Sequence, residues 1–210
     1  MEITLRLEEE RDYRIVENLT REAFWNVYSL GADEHLLIRN LRRAKEFVRD
    51  LDFVALCGDV IVGSIVYAEA KVIDDETEHT VLTFGPISVL PEYQKKGIGR
   101  RLIEHTTQLA KEKGYKAIFV YGDPEYYQRF GFRQSKEFGV TNRDGRFPAA
   151  LQALELYPNA LQGITGQFDE GKVYEIDDNE LAEFDQEFPV KERIKMSSQD
   201  RFLEMVNTYL

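Results

Sequence analysis

The pattern of apolar and polar positions in the first quarter of the chain changes from an alternating period to a helical one. Residues 3–7 alternate apolar and polar side chains, which is typical of a half-buried strand. Residues 8–25 place apolar side chains at helical spacing and begin with acidic residues, where the helix dipole favours negative charge. The helical spacing returns over residues 34–48. We therefore predict one strand followed by two helices.

The next part of the chain consists of apolar runs that are typical of strands. Residues 52–58, 60–72 and 80–90 are rich in β-branched and apolar side chains. The segment "CGDV" between the first two runs suits a tight turn, and "DDETEH" after the second predicts a hairpin loop. Because proline cannot donate to a ladder, we expect the third strand to bulge or splay near Gly85 and Pro86.

The following segments predict a helix, a strand, a short helix and a late strand. A helical pattern ends at Gly114, an apolar run covers residues 116–122, a proline opens the segment 123–130, and the late strand covers residues 150–157. The order β-α-α-β-β-β-α-β-α-β predicts an α/β fold with helices packed on a central sheet.

The composition changes after Pro158. Residues 159–189 contain nine acidic residues and one basic residue, whereas the preceding sequence mixes both signs. We therefore divide the chain into a domain over residues 1–158 and an acidic C-terminal extension over residues 159–210, packed on that domain or appended to it. The solvated surface of a folded protein is the simplest role for these acids, and attraction of cationic amines is the alternative.

Composition and charge exclude several classes of protein. A formal net charge of -11 disfavours nonspecific nucleic-acid binding, which needs a basic face. A single cysteine, Cys57, and three scattered histidines offer neither a disulfide framework nor a metal-ligand cluster. Apolar runs are shorter than the ~20 residues of a membrane helix. We expect a cytoplasmic protein with no metal, no nucleic-acid partner and no membrane partner.

One short stretch, "PEYQKKGIGRRL", concentrates positive charge around two glycines at the start of a predicted helix. A strand, a glycine turn and a helix start together present free backbone N–H groups and the positive end of the helix dipole, which bind phosphate. Gly97 and Gly99 admit an anion to the backbone, and Lys95, Lys96 and Arg100 add charge. The P-loop pattern is absent, and the dinucleotide fingerprint lacks its third glycine.

Three sequence blocks together resemble the GCN5-related N-acetyltransferases, the GNAT family. Residues 94–99 match the pattern Gln/Arg-x-x-Gly-x-Gly/Ala of that family's acyl-CoA pyrophosphate loop, and "ISVLPEY" resembles its lead-in strand. "YYQRFGF" matches the family's Tyr-x-x-x-Gly-Phe signature from Tyr127 to Phe132. The resemblance covers residues 1–158. It is strongest to a bacterial subgroup of predicted acetyltransferases of undetermined substrate, and that likeness continues loosely to about residue 177.

The resemblance implies a mixed, mostly antiparallel central sheet, splayed at the cofactor site and flanked by helices, with acetyl-CoA as acyl donor. It implies that backbone groups of Ile87, Ser88 and Val89 meet the pantetheine arm, with the Val89 N–H directed at the thioester oxygen. The residues implied in pyrophosphate binding are Gln94, Lys95, Lys96, Gly97, Ile98, Gly99 and Arg100. Asp123 stands where many relatives have an asparagine near the cofactor, although a helix cap is the simpler interpretation.

The same resemblance assigns Tyr127 as the general acid that protonates the departing thiolate. The alternative is that Tyr126 and Tyr127 are packing aromatics on a short helix. The general base stays unassigned, because Thr83 occupies the position where many members of the family have a glutamate. Glu69, Glu78 and His79 are the alternatives near that strand.

The implied function is transfer of an acetyl group from acetyl-CoA to a primary amine of a small molecule, by direct attack in a ternary complex. The alternative is a CoA-binding regulatory or sensing module with little or no turnover, and a weaker one is a structural protein whose glycine turn binds nothing. The sequence leaves open the acceptor, the choice between monomer and homodimer, and the role of residues 178–210.

Overall fold

The computed structural model describes residues 2–74 and 77–210, so the middle of the predicted hairpin loop "DDETEH" lies outside the described residues. The strands are β1 Thr4–Leu7, β2 Phe53–Cys57, β3 Val60–Ile73, β4 Glu78–Val89, β5 Ala117–Tyr121, β6 Arg133–Gln134, β7 Val140–Thr141, β8 Leu151–Glu155 and β9 Gly166–Asp169. The helices are α1 Tyr13–Phe24, α2 Glu34–Leu41, α3 Ile98–Glu112, α4 Pro124–Tyr127, α5 Asp178–Asp185 and α6 Ser197–Val206.

The strands form one mixed sheet in the order β1-β2-β3-β4-β5-β8-β6, and β9 pairs with β3 and β7. The pairs β4–β5 and β7–β9 are parallel, and the other pairs are antiparallel. The predicted fold class, a mostly antiparallel central sheet flanked by helices, is confirmed. The short strands β6, β7 and β9 were not predicted. The strands β6 and β7 have two residues each, which leaves little periodic signal.

The sheet opens between β4 and β5. These two strands pair only at Leu82 with Ile118 and at Thr83 with Phe119, although β4 continues to Val89. On the other side of β4, the β3 register shifts where Gly85 and Pro86 lie opposite a single residue. The bulge predicted from Pro86 is therefore present, and beyond it one edge of β4 has no strand partner among the described residues.

Helices cover both faces of the sheet. On one face, α3 buries Ile98, Leu102 and Ile103 against β3, β4 and β5. On the other face, α1 and α2 bury a second apolar cluster against β2 and β3. Adjacent residues of β3 divide between the two clusters, with Ile65 under α3 and Val66 under α1 and α2, as strand alternation requires.

The prediction that the second helix continues to residue 48 is wrong, because the helix ends at Leu41. Residues 42–46 turn instead, and Phe47 forms an antiparallel bridge with Ala68 while the Val48 N–H donates to the Tyr67 carbonyl at 3.0 Å. Strand β2 pairs with β3 only as far as Ile65, so this edge of β3 would otherwise be unpaired. The chain leaves the helix because satisfying those backbone groups outweighs the local helical preference.

Segments of the acidic extension pack into the fold. Strand β9 pairs with Lys71, Val72 and Ile73 at the edge of β3. Helix α5 brings Phe184, together with the following Phe188, onto α2. These contacts place the residues just after β9 beside the central strands.

A partly buried carboxylate connects this extension to the first two helices. Asp185 accepts hydrogen bonds from Arg21 Nε at 3.0 Å and Arg193 Nη2 at 3.3 Å, and lies 3.1 Å from His35 Nε2. The His35 ring is fully buried and stacks on Phe184 at a centroid distance of 5.2 Å. Burial lowers the pKa of His35 to about 4, more strongly than the neighbouring Asp185 raises it.

We expect acidification to destabilise the protein through His35. The pKa of His35 in the folded protein lies below the ordinary value of 6.5. The contribution of neutral His35 to the unfolding free energy is therefore complete above pH 6.5 and is lost as the pH falls towards 4. Between pH 7 and pH 5, wild type should lose about 2 kcal/mol more unfolding free energy than His35→Gln. Urea unfolding at the two pH values measures this difference. His105→Gln, which replaces an exposed histidine, is the control and should lose as much unfolding free energy between the two pH values as wild type. Equal losses in wild type and His35→Gln would contradict the prediction.

Candidate active site

The loop before α3 holds its backbone in two left-handed positions. Gly97 has φ +82° and Lys95 has φ +59°. A Cβ on Gly97 would meet no heavy atom within 4 Å, so the surface above it is open. The first helical hydrogen bond runs from the Arg101 N–H to the Gly97 carbonyl at 3.1 Å, and no side chain caps the helix start. The N–H groups of Ile98, Gly99 and Arg100 therefore point out of the helix start without a backbone partner.

The cationic side chains around this helix start are exposed. Lys96 donates to the Glu92 carbonyl at 2.7 Å, and Arg100 pairs loosely with Glu104 at 3.8 Å. Lys95 is also exposed. Exposed pairs of this kind contribute about 0–1 kcal/mol, so an incoming anion can recruit these side chains at little cost. Ile98 differs from its neighbours because its side chain is buried in the core, which leaves its N–H as the group available to a ligand.

The end of β4 directs two backbone N–H groups to the unpaired edge of the sheet. The Leu90 N–H donates to the Val62 carbonyl of the neighbouring strand at 3.0 Å. Because backbone groups alternate sides along a strand, the N–H groups of Val89 and Ile87 point away from β3, to the side where the β5 ladder has ended. Gln94 Nε2 donates to the Val89 carbonyl at 3.1 Å, which ties the loop to the strand.

Ser88 is oriented differently from the residues on either side of it. Its backbone faces β3 opposite Ser64, and its hydroxyl donates to Thr20 Oγ1 at 3.0 Å in a buried contact. The side chain thus fixes α1 to β4. Of the three residues proposed to meet the pantetheine arm, Ile87 and Val89 present backbone N–H groups to the open edge, and Ser88 does not.

Tyr127 lies at the end of α4 inside an aromatic cluster. Its ring centroid lies 5.9 Å from that of Phe84, 5.4 Å from Phe132 and 5.1 Å from Tyr126. Burial raises its pKa above the ordinary value of 10, with smaller contributions from Tyr28, Tyr126 and Tyr67. The hydroxyl therefore keeps its proton at neutral pH, and among the described residues it has no hydrogen-bond partner.

Two glycines make room for the tyrosines of α4. A Cβ on Gly122 would stand 2.2 Å from the Tyr127 ring, so the ring occupies the space of the missing side chain. A Cβ on Gly99 would stand 3.0 Å from the Tyr126 hydroxyl. Gly99 thus serves both the helix start and the packing of α4 on α3. Gly122 was not predicted from the sequence, and its position directly before the α4 cap was the signal that would have identified it.

Asp123 caps α4 and forms an ion pair with the C-terminal helix. Its Oδ1 accepts from the Glu125 N–H at 2.9 Å, and its Oδ2 accepts from Arg201 Nη2 at 2.8 Å. Both carboxylate oxygens are occupied, which favours the capping interpretation of this residue. Arg201 also pairs with Glu125 at 3.1 Å.

The C-terminal segment lies across the connection between α1 and α2 and reaches α4. Gln199 donates to the Asn26 carbonyl at 3.0 Å, and the Phe202 ring lies 4.5 Å from the Tyr28 ring. Arg201, one residue away, holds the start of α4. The segment therefore connects the α1–α2 connection to the start of α4. The sequence contained no signal for this placement beyond an amphipathic pattern.

The residues considered for the general base lie away from the open end of β4. Glu78 and His79 begin the strand that ends at Val89, and such a strand is roughly 30 Å or more in length. Glu69 accepts a hydrogen bond from the Tyr115 hydroxyl at 2.9 Å. In the described part of the chain, no group of three or more histidine, cysteine or acidic residues is arranged to hold a metal ion.

An open, mostly antiparallel sheet with a glycine-rich helix start beside its split parallel pair is the architecture of the GNAT acetyltransferases. Residues 49–134 match the family model described as the acetyltransferase (GNAT) domain. The resemblance to that family is confirmed over this part of the chain. None of the described helices is long and apolar enough to cross a membrane.

Individual relatives agree with this match. The chain is 27% identical over 106 residues to the uncharacterized N-acetyltransferase YhbS of Escherichia coli, covering 50% of this chain and 62% of that protein. The crystal structure of E. coli YhbS in complex with CoA aligns with a TM-score of 0.72 at 24% identity, covering 83% of this chain and 92% of that one. A GNAT family acetyltransferase from Brucella melitensis in complex with acetyl-CoA aligns with a TM-score of 0.67 at 24% identity, covering 82% and 98%. These structural likenesses show a shared fold.

Proposed function

We propose that this protein is an N-acetyltransferase that moves an acetyl group from acetyl-CoA to a primary amine of a small molecule, by direct attack in a ternary complex. The observation that carries the proposal is the free Val89 N–H at the unpaired edge of β4, adjacent to an uncapped, glycine-bounded helix start. The two GNAT family structures with CoA or acetyl-CoA bound support the choice of donor.

Each part of the site has a chemical task in this proposal. The N–H groups at the start of α3 bind the pyrophosphate, and Lys95, Lys96 and Arg100 add charge. The Val89 N–H donates to the thioester oxygen, on which negative charge develops as the amine attacks. Tyr127, held protonated by burial, donates its proton to the departing thiolate.

A second candidate function is a CoA-binding regulatory module with little turnover. Thr83 favours it, because a buried threonine stands where many GNAT members have a catalytic glutamate. Release of free thiol from acetyl-CoA in the presence of amines distinguishes the two candidates, since a binding module releases none.

Ligand-dependent thermal stability tests the donor site. Acetyl-CoA at 100 times its dissociation constant should stabilise the native protein by about 2.7 kcal/mol, because it binds the folded state only. ADP at the same concentration should stabilise it less, since it lacks the pantetheine arm that meets β4. The proposal would be contradicted if acetyl-CoA did not raise the thermal stability, or if ADP raised it equally.

A further inference from the structure

One carboxylate of the C-terminal extension lies on the sheet face opposite α3. Glu170 directly follows β9, where Asp169 pairs with Lys71 of β3. The preceding Phe168 stacks on Phe119 of β5, with centroids 5.0 Å apart and the rings nearly parallel. The extension therefore brings Glu170 beside the central strands, close to the point where β4 and β5 separate.

Strand alternation places Thr83 and Tyr121 on this same face. Val81 and Phe119 both pack in the cluster around Phe168, and each lies two residues before Thr83 or Tyr121. Tyr121 itself lies 6.0 Å from the Phe168 ring, measured between centroids. The position where many relatives have a glutamate thus faces the side of the sheet that carries Glu170.

A cavity of about 250 Å³ opens at this place, lined by Tyr121, Asn142, Arg143, Asp144, Phe168 and Glu170. Glu170 is half-buried and takes part in no hydrogen bond or ion pair within residues 2–74 and 77–210. Close by, the Tyr174 hydroxyl is buried next to Thr83. The Glu170 carboxylate thus lines the cavity without a partner among the described residues.

The electrostatic surroundings keep Glu170 near its titration point at neutral pH. Burial raises its pKa to about 7, Arg143 opposes the rise, and the acids Asp169 and Glu175 add to it. The pKa values of Tyr121 and Tyr174 are raised by burial and by Glu170, so both phenols stay neutral. A carboxylate with a pKa near the working pH is well suited to accept a proton during catalysis.

We propose that Glu170 is the general base that deprotonates the acceptor, and that the cavity it lines admits the cationic form of a primary amine. This inference rests on the acetyltransferase function proposed above. It assigns a catalytic role to the acidic extension and explains why Thr83 can replace the family glutamate: the carboxylate approaches the same face from β9.

Transfer of the acetyl group from acetyl-CoA to the amine conserves every proton and electron pair. Glu170 takes one proton from R–NH₃⁺, and the lone pair of R–NH₂ forms the C–N bond at the thioester carbon. The C–S bond breaks as the tetrahedral adduct collapses. Tyr127 protonates the sulfur and regains a proton from the nitrogen, so the products are the amide and free CoA thiol. Glu170 then releases its proton to solvent.

The test compares Glu170→Gln with wild type in thiol release from acetyl-CoA, using putrescine, tyramine, glucosamine and lysine as acceptors. At pH 8 we expect kcat/KM to fall about a hundredfold, and the rise of wild-type activity through about pH 7 should disappear. The dissociation constant for acetyl-CoA should stay unchanged, because Glu170 lies on the opposite face from α3. Glu183→Gln, an exposed acid of the same extension, should match wild type.

Glu34 provides the competing assignment, because burial, together with Asp33, raises its pKa to about 8 at the start of α2. Glu34→Gln should retain the pH-dependent rise. If Glu34→Gln abolishes that rise and Glu170→Gln keeps it, the assignment of Glu170 is overturned while the acetyltransferase function stands. If Glu170→Gln acetylates the amines as fast as wild type, the assignment of Glu170 is likewise overturned and the acetyltransferase function stands. If wild type acetylates none of the amines, both the assignment and the proposed function fail.

Discussion

Replacing Tyr127 with phenylalanine is expected to lower kcat for amine acetylation by about a thousandfold, since a positioned proton donor contributes roughly 10²–10⁴ in rate. The ring contacts with Phe84, Phe132 and Tyr126 persist in the variant, so the aromatic cluster stays packed. The lost group is the phenol, whose burial keeps it protonated and hence able to donate. Steady-state thiol release with saturating acetyl-CoA and amine measures the change.

Tyr126→Phe is the matched control for this experiment. It removes a hydroxyl from the same short helix and cluster, but one that packs over Gly99 of α3. We expect kcat within about threefold of wild type for this variant, and similar acetyl-CoA affinity for both variants. A Tyr127→Phe protein that keeps wild-type kcat would show that another group protonates the thiolate.

Replacing Gly97 with valine is expected to weaken acetyl-CoA binding by about a thousandfold. The residue has φ +82° and open space where its Cβ would project, so a side chain would cover the N–H groups that start α3. Losing two charge-assisted hydrogen bonds of about 1.5–3 kcal/mol each accounts for an effect of this size. Isothermal titration with acetyl-CoA measures the dissociation constant.

Gly163→Val separates this effect from backbone strain. Gly163 has a similar φ of +77° and equally open surroundings, but it lies in the loop before β9. Both variants should lose about 1–2 kcal/mol of unfolding free energy, because a side chain disfavours the left-handed conformation. Only Gly97→Val should lose affinity, and equal affinities in the two variants would mean that the helix start does not hold the pyrophosphate.

Much of the fold followed from local patterns. The alternation of β1, the helical periods of α1 and α3, and the interruption at Pro86 each depend on residues close in sequence, and the structure contains all of them. Helix α2 shows the limit of such patterns. Its helical spacing continues to residue 48, but the chain leaves the helix after Leu41 because β3 has an unpaired edge that only the folded sheet creates.

The candidate site divides in the same way. Glycine spacing and charge identified the helix start of α3, because a phosphate-binding loop is built from contiguous residues. The direction of individual groups was not visible in sequence: Ile98 turns its side chain into the core, and Ser88 bonds to Thr20 of α1. These orientations depend on which neighbour lies on each side of a strand or helix.

By itself, then, the amino-acid sequence determined the order of the main elements, the interruption of β4 and the glycine-rich helix start, because each of these is encoded within a few neighbouring residues. The tertiary structure decided where the extension lies. It placed Glu170 in a cavity with Tyr121 of β5, and it placed Arg201 on Asp123, a pair separated by 78 positions. Contacts between such distant segments arise from the packing of apolar surfaces and the pairing of strand edges, and no local pattern records which surfaces will meet.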